Sequence, residues 1–265
     1  MQHLTPYFRE AGAGPGVVCI HSNASTSSQW RALMDSLSTH YRVFAPDSVG
    51  AGKSPAWPAH HVVTLRDEVA FLETVFAEAG EPFFLAGHSY GGAVALIAAL
   101  DRPERIRAIA LYEPTLFALL EEEAPGQEAA NGIRFAAADA AVAIDAHDNP
   151  AAAERFIDYW MGTGTWRSMP AARQTPIAAS MNNVRGWATA LFSEPTPLHA
   201  FRALELPILY MMGARSPASS LEVARLLTNT LANVTVMQFP GLGHMGPVTH
   251  PELVNAAVVD FLARN

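Results

Sequence analysis

The chain has 265 residues and a net charge of −8; half its residues are hydrophobic and 16% are charged. That length suits one α/β domain, and so apolar a composition excludes a disordered chain. No cluster of lysine or arginine offers a footprint for nucleic acid, and no apolar run approaches the ~18 residues of a membrane span.

The opening stretch, MQHLTPYFREAG, lacks a basic region followed by an apolar one, so no signal peptide is expected and the cytoplasm is the expected location. Val17 to Ile20 reads as a buried strand. Cys19, the single cysteine, lies inside it and reads as a core thiol that forms no internal disulfide. Val43 to Ala45 is the next strand, then Leu65 to Ala79 is a helix. The strand Phe83 to Ala86 leads into a helix over Gly92 to Leu100, and Ile106 to Tyr112 is a further strand. After residue 202 the pattern resumes with strands at Ile208 to Met212 and Val234 to Phe239. Helices at Leu221 to Leu231 and Leu253 to Ala263 follow them. Strands alternating with helices argue for a doubly wound, mostly parallel sheet covered on both faces.

Between residues 115 and 202 the alternation stops. This stretch is rich in alanine and acidic residues, and Pro150, Pro170, Pro176, Pro195 and Pro197 punctuate it into several short helices. It is read as a helical lid inserted into a core made of residues 1–114 and 203–265. The alanine-rich part, Phe135 to Ala146, resembles low complexity, but Trp160, Trp166 and Trp187 argue for packed structure. Most large apolar side chains there, including Met161, Met169, Met181, Phe156 and Phe192, read as lid core, and a minority as the wall of a pocket. Asn182 and Asn183 read as solvated loop residues, with contact to a substrate carbonyl as the alternative.

The motif that carries chemistry is Gly87-His88-Ser89-Tyr90-Gly91, followed by Gly92. It lies between a strand and a helix, the setting in which G-x-S-x-G forms a sharp turn that exposes a nucleophilic serine. The bland alternative is a glycine-rich turn with a solvated serine. A serine needs a base, and His244 in Gly241-Leu242-Gly243-His244-Met245 follows the last strand between glycines. The other histidines lie in polar contexts or, like His250 before Pro251, near helix ends. His88 and Ser22 are candidate substrate contacts, although His88 is expected to point away from the nucleophile. Gly52-Lys53-Ser54 looks like the end of a phosphate-binding loop, but position 47, where that motif needs glycine, is Asp47. Asp47 is read as a turn acceptor. The pair His60-His61 has no companions at metal-ligand spacing, so no metal is expected.

Taken together, Ile20-His21-Ser22-Asn23, Asp47 to Ser54, GHSYGG and GLGHM resemble the α/β-hydrolase family in order and spacing, over nearly the whole chain outside the lid. The resemblance implies an eight-stranded, mostly parallel sheet and no cofactor. It implies an oxyanion hole from the backbone N–H groups of Tyr90 and Asn23, although Ser22 stands where many relatives have glycine. It also implies an aspartate after the penultimate strand, where this chain has Ser216 in Met212-Gly213-Ala214-Arg215-Ser216. A hydroxyl does not stabilise imidazolium as a carboxylate does. Glu113, at the end of the strand after the nucleophile helix, is the candidate acid. Some relatives draw their acid from that position, and the order Ser89, Glu113, His244 matches the family's. The alternative is a strand-end glutamate that holds the lid or a backbone amide.

The expected activity is a serine hydrolase acting through an acyl-enzyme on a small ester, thioester, amide or lactone with an apolar part. The alternatives are hydrolysis of a carbon–carbon bond on the same triad, or a weakly catalytic small-molecule-binding protein on a hydrolase frame. The expected partner is that small molecule alone, with neither nucleic acid nor membrane, and the chain is expected to be a monomer or homodimer.

Overall fold

The computed structural model describes residues 4–58, 61–123 and 125–265, so His3 and His60 lie outside the described residues. Its sheet has seven strands: β1 (Phe8–Ala11), β2 (Gly16–Ile20), β3 (Arg42–Pro46), β4 (Phe83–His88), β5 (Ile106–Tyr112), β6 (Ile208–Gly213) and β7 (Val234–Phe239). They lie in the order β1-β3-β2-β4-β5-β6-β7. Only β1 is antiparallel, pairing with β3 from Phe8 opposite Pro46 to Ala11 opposite Val43. The expected eighth strand is absent among the described residues. The N-terminal end of the sheet is closed by the single short ribbon FREA, from which the turn before Gly16 leads directly into β2.

Alternation along the strands divides the core between the two faces of the sheet. Val17 and Cys19 of β2, with Phe84 and Ala86 of β4, pack against α1 (Arg31–Leu37) and α12 (Pro251–Leu262). Val18, Ile20, Phe83 and Leu85 face the opposite way, onto α2 (Leu65–Ala79), α3 (Tyr90–Asp101) and α10 (Ala218–Thr230). Both faces of β2 and β4 are covered, which is why these strands read as unbroken apolar runs. Helix α3 is apolar all round because it is buried all round: every residue from Tyr90 to Ala99 is buried. Helix α2 begins with a capping box, in which Thr64 Oγ1 accepts from Asp67 N and Asp67 Oδ2 accepts from Thr64 N.

Between β5 and β6 the chain leaves the sheet as a helical excursion. It comprises α4 (Ala118–Glu123), α5 (Glu128–Asp145), α6 (Asn149–Met161), α7 (Thr165–Ser168), α8 (Ala171–Ala179) and α9 (Met181–Phe192). Pro150 sits in the first turn of α6, where its missing N–H costs nothing. Pro176 does not separate two helices as expected; it lies inside α8, a nine-residue helix with no buried residue. Asn182 and Asn183 are not loop residues: they lie in the first turn of α9, and Asn183 Nδ2 donates to the Gly50 carbonyl. That bond and the packing of Trp187 on Tyr90, ring centres 5.4 Å apart, fasten α9 to the sheet domain. Short α11 (Gly246–Thr249) precedes α12. Among the described residues no helix is long and apolar enough to cross a membrane.

Candidate active site

In an open parallel sheet the loops at the carboxyl ends of the strands form the ligand crevice where the strand order reverses. Here that reversal falls between β2 and β4. His21 to Asn23 follow β2, Ser89 follows β4, Glu113 follows β5, Ser216 follows β6 and His244 follows β7.

Ser89 occupies the turn from β4 to α3 with φ 56° and ψ −117°. A non-glycine residue takes such a conformation only where its surroundings impose it. Gly87 and Gly91 make the turn possible: a Cβ on Gly91 would collide with the Ile20 and His21 carbonyls, and one on Gly87 with the backbone of Gly91 and Gly92. The Ser89 N–H donates to the Tyr112 carbonyl (3.0 Å), which fixes the turn to β5. Among the described residues four non-glycine residues have positive φ, and three of them, Ala24, Ser89 and Glu113, belong to this crevice.

Three side chains form one hydrogen-bonded line. Ser89 Oγ lies 2.9 Å from His244 Nε2, and His244 Nδ1 donates to Glu113 Oε2 at 2.7 Å. The other carboxylate oxygen, Glu113 Oε1, accepts from the Gly213 N–H (2.7 Å) and from the Ser216 hydroxyl (2.5 Å). Ser216 thus donates to a carboxylate at the place where an acid was expected. Ser220 Oγ stands 3.3 Å from His244 Nδ1. All three members of the line are buried. Trp160 of α6 stacks on the His244 ring, with centres 4.0 Å apart and 27° between planes.

The two proposed substrate contacts, His88 and Ser22, are corrected by the structure. His88 is wholly inaccessible. Its Nε2–H donates to the main-chain carbonyl of His244 (2.8 Å), and its Nδ1 accepts from Gln29 Nε2 (3.1 Å). Burial, seconded by the nearby His244, holds His88 well below the ordinary imidazole value, so it stays neutral. Gln29 Oε1 in turn accepts from the N–H and hydroxyl of Ser22. Both residues therefore point into a polar seam beneath the crevice, where His88 tethers the backbone of His244. The Tyr112 hydroxyl adds a second tether, to the Gly243 carbonyl at 2.8 Å.

Tyr90 opens α3, so its N–H is one of the amides a helix leaves without an internal acceptor, at the partially positive end. Asn23 lines the cavity together with Ser89. Asp47 acts as the turn acceptor expected, taking the Ser27 N–H (2.6 Å) and the Lys53 N–H (2.9 Å). Cys19 is buried, which pushes its thiol far above the ordinary range and leaves it unreactive.

Sequence reasoning missed Glu68. It is inaccessible and accepts from the Val49 N–H (3.0 Å) and the Tyr90 hydroxyl (3.1 Å). Burial, partly offset by those two donors, pushes its carboxyl up to about 7. The signal was present: Glu68 falls in the buried helical stripe Leu65, Leu72, Val75, Phe76 and Ala79.

Above Ser89 lies a cavity of about 440 Å³, within the range of small-molecule sites. Its walls come from the helical excursion: Phe156, Tyr159 and Trp160 of α6, Met181 and Val184 of α9, and an alanine face of α5. Phe156, Trp160, Met181 and Phe192 are thus among the residues of the excursion that reach the pocket, whereas Trp166 and Trp187 are packed elsewhere in the core.

The sequence profile described as "alpha/beta hydrolase fold" matches residues 15–251. The chain belongs to the alpha/beta hydrolase fold family. It is 25% identical over 263 residues to (E)-2-((N-methylformamido)methylene)succinate hydrolase of Acinetobacter baylyi, covering 97% of this chain and 94% of that one. It is 27% identical to 2-hydroxymuconate semialdehyde hydrolase of Pseudomonas sp., with 96% and 89% covered. Its fold is shared by an esterase from Exiguobacterium antarcticum (TM-score 0.79, 18% identity, 97% and 95% covered). The enol-lactonase of Burkholderia xenovorans shares it too (TM-score 0.77, 20% identity, 97% and 96% covered). Membership of this family and the similarity in sequence to the two hydrolases support hydrolytic function.

Proposed function

We propose that the protein is a serine hydrolase that cleaves a small ester, thioester, amide or lactone through an acyl-enzyme. The observation that carries this reading is the unbroken line from Glu113 through His244 to Ser89, beneath an apolar cavity. His244 Nε2 takes the Ser89 proton as Oγ bonds to the substrate carbonyl carbon, and the carbonyl electron pair moves onto oxygen. The Tyr90 and Asn23 N–H groups hold that oxyanion, each donor contributing roughly 3–4 kcal/mol to the transition state. The intermediate collapses, and the leaving group departs with the proton from His244. Water then gives its proton to His244 and attacks the acyl carbon, and Ser89 leaves with that proton restored. Glu113 keeps Nδ1 protonated and stabilises the imidazolium formed in each half-reaction. The helical excursion acts as the lid that excludes bulk water and receives the acyl group.

The reading of a weakly catalytic binding protein was motivated by the uncharged Ser216, and Glu113 supplies the carboxylate that Ser216 lacks. Hydrolysis of a carbon–carbon bond on the same frame is favoured by no particular contact in the cavity. The test is hydrolysis of p-nitrophenyl esters from acetate to octanoate by wild type and Ser89→Ala. Turnover by the wild type alone supports the acyl-enzyme; equal inactivity of both, correctly folded, refutes the esterase reading.

A further inference from the structure

Most of the cavity wall is carbon, and nearly every polar side chain that reaches it is already engaged. The Tyr159 hydroxyl pairs with Ser219 Oγ at 2.7 Å. Thr189 and Ser193 return their hydroxyls to main-chain carbonyls of their own helix (3.0 and 2.8 Å). Arg185 is paired with Asp145, and Arg134 with Glu121. Two groups differ. Asn23 Oδ1 and Thr115 Oγ1 are buried oxygens with no hydrogen-bond partner among the described residues, and both residues line the cavity with Ser89. Thr115 is 1% exposed, and its N–H donates to the Ser89 carbonyl at 3.3 Å, so its position is tied to that of the nucleophile.

The protein leaves both oxygens unsatisfied, so a ligand that reaches Ser89 is the group that can pair with them. A purely hydrocarbon substituent leaves both unpaired, and buried unpaired polar groups are the strongest source of discrimination between similar ligands. Asn23 Oδ1 needs a donor. Thr115 Oγ1 donates or accepts. A ligand hydroxyl meets either need, giving its proton to Asn23 or pairing with Thr115.

We infer that Asn23 and Thr115 determine specificity, and that the preferred substrates are esters or lactones whose acyl group carries a hydroxyl one or two carbons from the scissile carbonyl. The remaining hydrocarbon lies along the alanine face of α5, beside Ala137, Ala140 and Ala141. This inference rests on the reading of Ser89 as acyl acceptor.

The test compares the ethyl esters of hexanoic, 2-hydroxyhexanoic and 3-hydroxyhexanoic acids, each kcat/KM being divided by the rate of alkaline hydrolysis to remove intrinsic reactivity. Wild type is expected to favour one hydroxy ester over hexanoate by at least about tenfold. Thr115→Val, which keeps the shape and removes the hydroxyl, is expected to cut that ratio at least about fivefold, and Thr115→Ser to retain it. Ser89-dependent hydrolysis of all three esters within twofold of one another overturns the inference and leaves the acyl-enzyme reading standing. So does a preference that survives in a folded Thr115→Val. Failure of folded wild type on every ester overturns both.

Discussion

Glu113→Gln is the sharpest perturbation of the proposed triad, because one fixed donor decides its outcome. Glu113 Oε1 faces the Gly213 N–H, which can only donate, and Oε2 faces His244 Nδ1. In the variant the amide oxygen must stay on Gly213, because an NH₂ group there would set two donors against each other in a site with no solvent. The NH₂ then faces His244 and forces Nδ1 to accept. The imidazole proton moves to Nε2, which loses the lone pair that receives the Ser89 proton. The opposite amide orientation keeps the useful tautomer but leaves a buried N–H unpaired, at about 1–3 kcal/mol. The first arrangement is the more stable, and the wrong tautomer lowers kcat by about 10⁴-fold. That factor corresponds to roughly 5.5 kcal/mol of activation free energy. The assay is kcat and KM on the best p-nitrophenyl ester, with circular dichroism to confirm the fold. KM should change little, since Glu113 does not line the cavity. A folded variant with kcat within tenfold of wild type would falsify the role given to Glu113.

Three further predictions follow from other contacts. Glu68 has a carboxyl raised from 4.5 to about 7, so the folded chain holds its proton where the unfolded chain has lost it. The stability this contributes is full below pH 4.5 and is lost as pH rises through 7. Glu68→Gln should remove roughly 2–3 kcal/mol of the change in unfolding free energy between pH 5 and pH 8, at about 1.4 kcal/mol per unit. Urea titrations at the two pH values measure it, and parallel curves for wild type and variant would contradict the assignment. Ala140→Phe should fill part of the cavity and lower the ratio of octanoate to acetate hydrolysis by at least about tenfold; an unchanged ratio would place the acyl group elsewhere. Gly91→Ala presses a methyl group against the Ile20 carbonyl and should cost about 1–3 kcal/mol. Calorimetry should show this as a fall in Tm of roughly 2–4 °C per kcal/mol.

The parts of the fold that were legible in the sequence are those buried on both sides. Strands such as Phe83–His88 have no choice but to be apolar throughout, and glycines at Gly87 and Gly91 mark a turn no other residue permits. Strand β1 escaped notice because FREA is short, half polar and on an edge, so it carries no alternation long enough to read. Within the excursion, alanine is neither clearly apolar nor clearly polar, so the register of α5 had no contrast from which to be read. Ser89 and His244 were legible through local motifs, and Glu113 through its place at the end of a strand. The duty of His88 was not legible from its position beside Ser89. It depends on a carbonyl 156 residues away, and no local spacing encodes that contact.

The alanine face of α5 has a consequence for how this protein changes over generations. Alanine is the best helix former, and leucine and methionine are close behind. A single exchange of Ala137, Ala140 or Ala141 for one of these alters the room above Ser89 while leaving the helix's own propensity almost intact. The proposed triad hangs from strand ends and takes no residue from α5, so the exchange leaves its supports in place. Substrate range can therefore drift one codon at a time, on a wall whose stability is nearly indifferent to the outcome, while the chemistry stays fixed.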